Sequence, residues 1–186
     1  MKRSTCTPHE NDMEMELGFI VNDPNMLTHN YSNETPLMLV NFTDDPKNIS
    51  NSDFFIITVP TPLNRNKKPD LSNLIKATKI VAKKIKKKSI VIYESTVYPG
   101  CTEEVCVPII EKFSNLKYNI DFFCGYSPER INVGDNKHRL ENIIKVVSGS
   151  TVSTTNKIHN LYKKIIKAKI FKASSIRVAE AAKVIE

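Results

Sequence analysis

From Phe54 onward, apolar and polar residues fall into blocks of two kinds. Short apolar runs, Phe54-Phe-Ile-Ile57, Ser89-Ile-Val-Ile-Tyr93 and Phe122-Phe-Cys124, read as buried strands, and Ile143-Ile-Lys-Val-Val147 and Lys169-Ile-Phe171 read as strands. Between them apolar residues recur at helical spacing. Leu71, Leu74, Ile75, Thr78, Val81, Ala82 and Ile85 predict a helix opened by Pro69-Asp70, with lysine on its other face. Cys106, Ile109, Ile110 and Phe113 predict a second helix. Thr102 is its expected N-cap, and Glu103 and Glu104 occupy the first turn, where the helix dipole favours anions. Pro108 kinks this helix unless it lies within the first turn. A third opens near Thr151 and is expected to bury Val152, Ile158, Leu161, Ile165 and Ile166; a last one starts at about Ser174. The order strand, helix, strand, helix, strand, strand, helix, strand, helix indicates an α/β fold with a mostly parallel sheet and flanking helices.

Three of these strands run directly into segments rich in hydroxyl groups, proline and charge. They are Thr58-Val-Pro-Thr-Pro62, Glu94-Ser-Thr-Val-Tyr-Pro-Gly100 and Tyr126-Ser-Pro-Glu-Arg-Ile-Asn-Val-Gly134. In an open parallel sheet, ligands bind outside the carboxyl ends of the strands, so these segments are expected to form one side of a cleft. Pro60 and Pro62 stiffen the loop around Thr61, so its hydroxyl meets a ligand at little entropic cost. Each feature has a plainer reading as well. Thr61 and Thr96 are also ordinary turn or cap residues, Glu129 and Arg130 an ordinary surface pair, and Lys183 an ordinary solvated helix lysine.

The chain has 186 residues, room for one domain with a short extension. It is 40% hydrophobic and 25% charged, and no apolar run approaches the roughly 20 residues of a membrane span. The N-terminus carries no apolar stretch that reads as a secretory signal, so a cytoplasmic location is expected. A net charge of +7 raises the question of nucleic acid. Much of that charge sits in Lys83-Lys-Ile-Lys-Lys-Lys88, which reads first as a solvated helix end and second as a polyanion patch; no aromatic residues interleave it. Cys6, Cys101, Cys106 and Cys124 form no C-x-x-C pair and no zinc spacing, so no metal site is expected. Residues 1–36 form a divergent segment rich in Asn, Asp, Thr and Met, its first 15 or so expected to be disordered. Leu37-Met-Leu-Val-Asn-Phe-Thr43 and Gly18-Phe-Ile-Val21 are the strand candidates before Phe54.

Taken together, Asp53-Phe-Phe-Ile-Ile-Thr-Val-Pro-Thr-Pro62, Pro69-Asp-Leu71, Tyr93-Glu-Ser-Thr-Val-Tyr-Pro-Gly-Cys-Thr-Glu-Glu104, Gly125-Tyr-Ser-Pro-Glu-Arg-Ile-Asn132 and Lys172 to Glu186 resemble the UDP-glucose/GDP-mannose dehydrogenase family. The branch most similar acts on UDP-N-acetylhexosamines in O-antigen and Vi polysaccharide synthesis. The resemblance implies a partial Rossmann-like NAD-binding domain over residues 37–172, with residues 173–186 as the start of an interdomain helix. It also implies oxidation of a sugar C6 alcohol to a carboxylate with NAD as cofactor and a UDP-sugar as substrate. By the family pattern, Pro60, Thr61, Ser95 and Thr96 face the dinucleotide. Glu129 stands beside the reacting centre, Arg130 and Ile131 run along the sugar nucleotide, and Lys183 stabilises the developing oxyanion.

The sequence departs from that pattern in three ways. Its only glycines are Gly18, Gly100, Gly125, Gly134 and Gly149, so the G-x-G-x-x-G turn that lets a backbone approach a pyrophosphate is missing. No cysteine sits in the family's Gly-His-Cys-type loop, whose thiol carries the aldehyde-to-acid step. The substrate domain is missing too. The expectation is an incomplete member, not competent alone. The alternatives are one chain of a split enzyme completed by a partner that carries the catalytic Cys, or a non-catalytic nucleotide- or partner-binding module. Neither a membrane nor nucleic acid is the expected partner.

Overall fold

The computed structural model describes residues 43–129 and 143–185. The early strand candidates, the N-terminal segment, Arg130 and Ile131 lie outside the described residues. After a short 3-10 turn at Pro46–Ile49, the elements are β1 (Phe54–Ile57), α1 (Ser72–Ala82), β2 (Ile90–Tyr93), α2 (Val107–Ser114), β3 (Phe123–Tyr126), β4 (Lys145–Gly149), α3 (Val152–Lys163), β5 (Ile170–Lys172) and α4 (Ile176–Ile185). This is the order the sequence pattern predicts. The strands lie side by side in chain order. β1, β2 and β3 are parallel, β4 runs antiparallel to β3, and β5 is parallel to β4.

β2 lies between β1 and β3 and is buried along its whole length. Its residues alternate between two cores, as the period of two in a strand requires. Val91 and Tyr93 join Phe55, Ile57, Leu74, Val81, Ile110 and Phe122 on the face covered by α1 and α2. Ile90 and Ile92 join Val147, Ile158, Tyr162 and Ile166 on the face covered by α3. Helices on both faces of a largely parallel sheet make a Rossmann-like layer arrangement. The start of α4 and the turn before it belong to the first core through Ala173, Ile176 and Ala179.

Several boundaries differ from the sequence reading. α1 ends at Ala82, and Ile85 packs from the turn beyond it. Thr102 is not an N-cap. The chain is already helical at Cys101, and a π turn at Thr102–Cys106 leads into α2 with Pro108 as its second residue, so the proline sits where the wider turn meets the α-helix. Thr151 does cap α3, its hydroxyl accepting from the amide of Thr154 at 3.1 Å. Three residues expected in the core are not there, among them Phe113 of α2, which is 36% exposed. Val152 is 80% exposed because it starts the helix on the solvent side, and Ile165 is 45% exposed because α3 has ended at Lys163. The Lys83–Lys88 run sits at the helix end and in the turn after it. Lys86 pairs with Asp53 at 3.0 Å and Lys87 with Asp121 at 3.3 Å, which favours the solvated reading.

Candidate functional site at the strand ends

Register brings the three hydroxyl-rich segments together. Ile57, Tyr93 and Tyr126 are level across β1, β2 and β3. The next residues keep the ladder, since the Glu94 amide donates to Ile57 O and the Ser127 amide to Tyr93 O, both at 2.9 Å. The segments therefore leave the sheet from one edge and form a common rim.

Side chains then tie the rim together. Thr61 Oγ1 donates to Thr96 O at 2.6 Å, joining the first loop to the second. Ser95 is buried and turned inward, its hydroxyl donating to Val59 O at 2.6 Å. The Tyr126 hydroxyl donates to Ser95 O at 3.1 Å. Thr61 is half-buried, and Pro60 and Thr96 are exposed. Ser95 thus braces the rim, and the hydroxyls of Thr61 and Thr96 are the ones at its surface. An enclosed carbonyl that lost such a donor would be left unsatisfied at a cost of about 1–3 kcal/mol, so the bracing matters to the loop geometry.

Glu129 closes the rim at the end of β3. Its Oε2 is 3.5 Å from Nζ of Lys145, which is also 2.9 Å from Glu94 Oε1. Tyr162 donates its hydroxyl to Glu94. Burial and the carboxylate beside it push the Tyr162 phenol far above its ordinary range, so it acts here as a donor. The antiparallel run of β4 is what places Lys145, its first residue, beside the last residues of β2 and β3. The sequence reading missed Glu94, Lys145 and Tyr162. The signal was present in part, since a lysine within Ile143–Val147 breaks an apolar run.

Glu180 on α4 was also missed. It is fully buried, and its carboxylate accepts from the amides of Gly100 at 2.5 Å and Thr102 at 2.9 Å. These are amides at the start of a helical stretch, which would otherwise lack partners. Gly100 has φ +97°, a conformation that suits glycine, and a Cβ there would lie 2.6 Å from Glu104 Oε1. Lys183 lies one turn beyond Glu180 and is half-buried. Among the described residues no hydrogen bond or ion pair joins it to Glu129, Thr61 or Thr96.

Thiol chemistry finds no support at this rim. Cys101, Cys106 and Cys124 are free and fully buried. The Cys101 thiol is pushed up by a hydrogen bond with Cys106 and by burial, and the Cys124 thiol by burial, away from the reactive thiolate. Among the described residues no cluster of His, Cys, Asp and Glu could hold a metal ion, and no helix is long and apolar enough to cross a membrane. A shallow hollow bounded by Asp53, Phe54, Lys88, Ile90 and Lys157 lies at the opposite, amino ends of the strands.

Comparison with known proteins agrees with the architecture. Residues 7–166 match the UDP-glucose/GDP-mannose dehydrogenase family, NAD binding domain. The chain is 56% identical over 147 residues to the UDP-N-acetyl-D-glucosamine 6-dehydrogenase of Pseudomonas aeruginosa, a match covering 79% of this chain and 35% of that protein. It is 47% identical over 179 residues to Protein CapL of Staphylococcus aureus, covering 91% of this chain and 42% of that protein. Among solved structures, the UDP-D-ManNAc dehydrogenase of Pyrococcus horikoshii superposes with a TM-score of 0.71 at 32% identity, over 77% of this chain and 34% of that one. GDP-mannose dehydrogenase from Pseudomonas aeruginosa gives 0.70 at 28% identity, over the same shares. The chain thus spans about a third of the length of the Pseudomonas and Pyrococcus proteins it matches. A family match across most of the sequence, on a sheet with the same architecture, means that the chain belongs to the UDP-glucose/GDP-mannose dehydrogenase family and corresponds to its NAD-binding domain.

Proposed function

We propose that the chain supplies the cofactor-side wall of an NAD-dependent UDP-sugar 6-dehydrogenase, which oxidises a sugar C6 alcohol to a carboxylate. The observation that carries this reading is the level row of strand ends, with Thr61 bonded to Thr96 across the rim and Glu129 beside them. The rim suits one side of a dinucleotide: two surface hydroxyls on loops braced from beneath, next to prolines that limit their motion. The phosphate side fits less well. The sequence has no G-x-G-x-x-G turn, and the free amides at the start of the α2 stretch, a natural anion site, are already taken by Glu180.

In this reading Pro60, Thr61 and Thr96 hold the dinucleotide, and Ser95 fixes the loop from below. NAD, when bound, accepts hydride from the sugar. Glu129 holds a water or takes up a proton at its carboxylate. Arg130 and Ile131 follow along the sugar nucleotide, and Lys183 stabilises negative charge developing on the substrate oxygen. The second oxidation needs a thiol in reach of the substrate. The three described cysteines are sealed in the core, so such a thiol has to come from outside the described residues. The unpaired core thiols also suit a cytoplasmic setting.

Calorimetry tests this. The chain alone should bind NAD and show no turnover with UDP-N-acetylglucosamine. Absence of NAD binding by a folded chain would refute the cofactor reading, and turnover by the chain alone would refute the need for a thiol outside the described residues.

A further inference from the structure

Lys145 is 4% exposed, at a depth where lysine is seldom found unless paired. Its ammonium has three donors, and three acceptors surround it: Glu94 Oε1 at 2.9 Å, Pro128 O at 3.5 Å and Glu129 Oε2 at 3.5 Å. The ring of Tyr162 lies 5.1 Å from Nζ, and the Tyr162 hydroxyl donates to Glu94 Oε1, the same oxygen that the ammonium contacts. The strands carrying these groups are pinned to one another. Ser127 Oγ donates to Val146 O at 2.8 Å, and Ser148 Oγ to Tyr126 O at 3.0 Å. The two carboxylates are unequal. The Glu94 side chain is 13% exposed and that of Glu129 is 41% exposed. The more exposed carboxylate is the one that faces the rim.

We propose that Lys145 is a positioning residue, whose ammonium, fixed by Glu94 and Tyr162, holds the Glu129 carboxylate at the edge of the strand-end rim. This deepens the proposed role of Glu129 and rests on it. Lys145 is sealed from solvent and touches no ligand; it acts through Glu129. The competing account is that Lys145 only neutralises the buried Glu94.

A variant cycle separates the two. Lys145→Met alone would strand the Glu94 charge in the core and unfold the region. The cycle therefore uses Glu94→Gln as background, where Lys145→Met removes no counterion from a buried charge. Folding of each variant is checked by near-UV circular dichroism and urea midpoint. The readout is the rate at which a water-soluble carbodiimide and a neutral amine label Glu129, resolved by peptide mass spectrometry at fixed pH. Labelling of Glu129 is expected to be slow in Glu94→Gln, several-fold faster in Glu94→Gln/Lys145→Met, and slow again in Glu94→Gln/Lys145→Arg, which keeps the charge. Equal labelling with and without the lysine, in folded proteins, would overturn the proposal. So would equally fast labelling in the Arg and Met variants, since that traces the effect to packing. Calorimetry with NAD on the wild-type chain reports separately. A silent titration there would count against the cofactor reading and leave the labelling ratio standing.

Discussion

Replacing Glu180 with Gln should destabilise the fold far more than its place on the last helix suggests. The carboxylate is fully buried and accepts two backbone amides, from Gly100 and Thr102. Hydrogen bonds to a charged group contribute about 1.5–3 kcal/mol each, net of water. Glutamine keeps one carbonyl oxygen, so one bond survives in weaker, neutral form. The other is replaced by an NH2 group aimed at an N–H, with both donors unsatisfied. Relief of the buried charge offsets part of this loss. The balance is a loss of about 2–4 kcal/mol, a large share of the 5–15 kcal/mol typical of a domain. With urea slopes of about 1–3 kcal/mol/M, the unfolding midpoint should fall by roughly 1–2 M at unchanged slope. Arg177→Ala is the control. It removes the neighbouring pair to Glu104 at 2.7 Å, whose side chains are both 58% exposed, and such pairs are worth about 0–1 kcal/mol. If Glu180→Gln moves the midpoint no more than Arg177→Ala does, the clamp on the α2 stretch is not what holds α4.

Three further outcomes follow from the described contacts. Gly125→Ala should cost about 3 kcal/mol or more in chemical denaturation, because its Cβ would lie 2.1 Å from Ile158 Cδ1 and 2.7 Å from Ser148 O. Trimming Ile158 to Val in the same chain should restore little, since the carbonyl stays. Thr61→Val should weaken NAD binding by roughly 3- to 10-fold in calorimetry, the equivalent of about one hydrogen bond, while an unchanged affinity would remove Thr61 from the site. Stability should be level through neutral pH, begin to fall above about pH 8.5, where the raised thiols of Cys101 and Cys124 would ionise in the unfolded chain, and fall further above about pH 10. Burial raises the phenols of Tyr93, Tyr126 and Tyr162, so the folded state keeps protons that the unfolded chain gives up, and stability present below the unfolded value is lost as pH rises past it. Urea midpoints measured from pH 7 to 11 check this, and reversible ionisation of all three at pH 10 in a folded protein would contradict it.

The elements that depend on local pattern were legible in the sequence. β2 reads as a strand because four consecutive apolar residues can be buried only where helices cover both faces, and α1 reads from its lysine-free stripe. The strand-end rim was legible too, because the hydroxyls and prolines follow the strands directly. What escaped were features made by distant partners. Thr102 looks like a cap from its neighbours, yet the cap is a carboxylate 78 residues away. Lys145 only interrupts an apolar run in the sequence, and the reversal of β4 and the arrival of Tyr162 from α3 explain its burial. Val152 was misjudged for a local reason, since its place in the first turn of α3 decides which way it points.

The antiparallel run of β4 has a consequence for how the strand finds its alignment. Side chains alternate between the faces of a sheet, so a slip of one residue against β3 would swing the ammonium of Lys145 to the side packed by α1 and α2 and leave Val146 facing two carboxylates. A misaligned strand would thus place a cation among hydrocarbon and separate two anions from their counterion. The polar cluster at the sheet's edge therefore acts as a proofreader of strand alignment, and a purely apolar β4 would slide more readily.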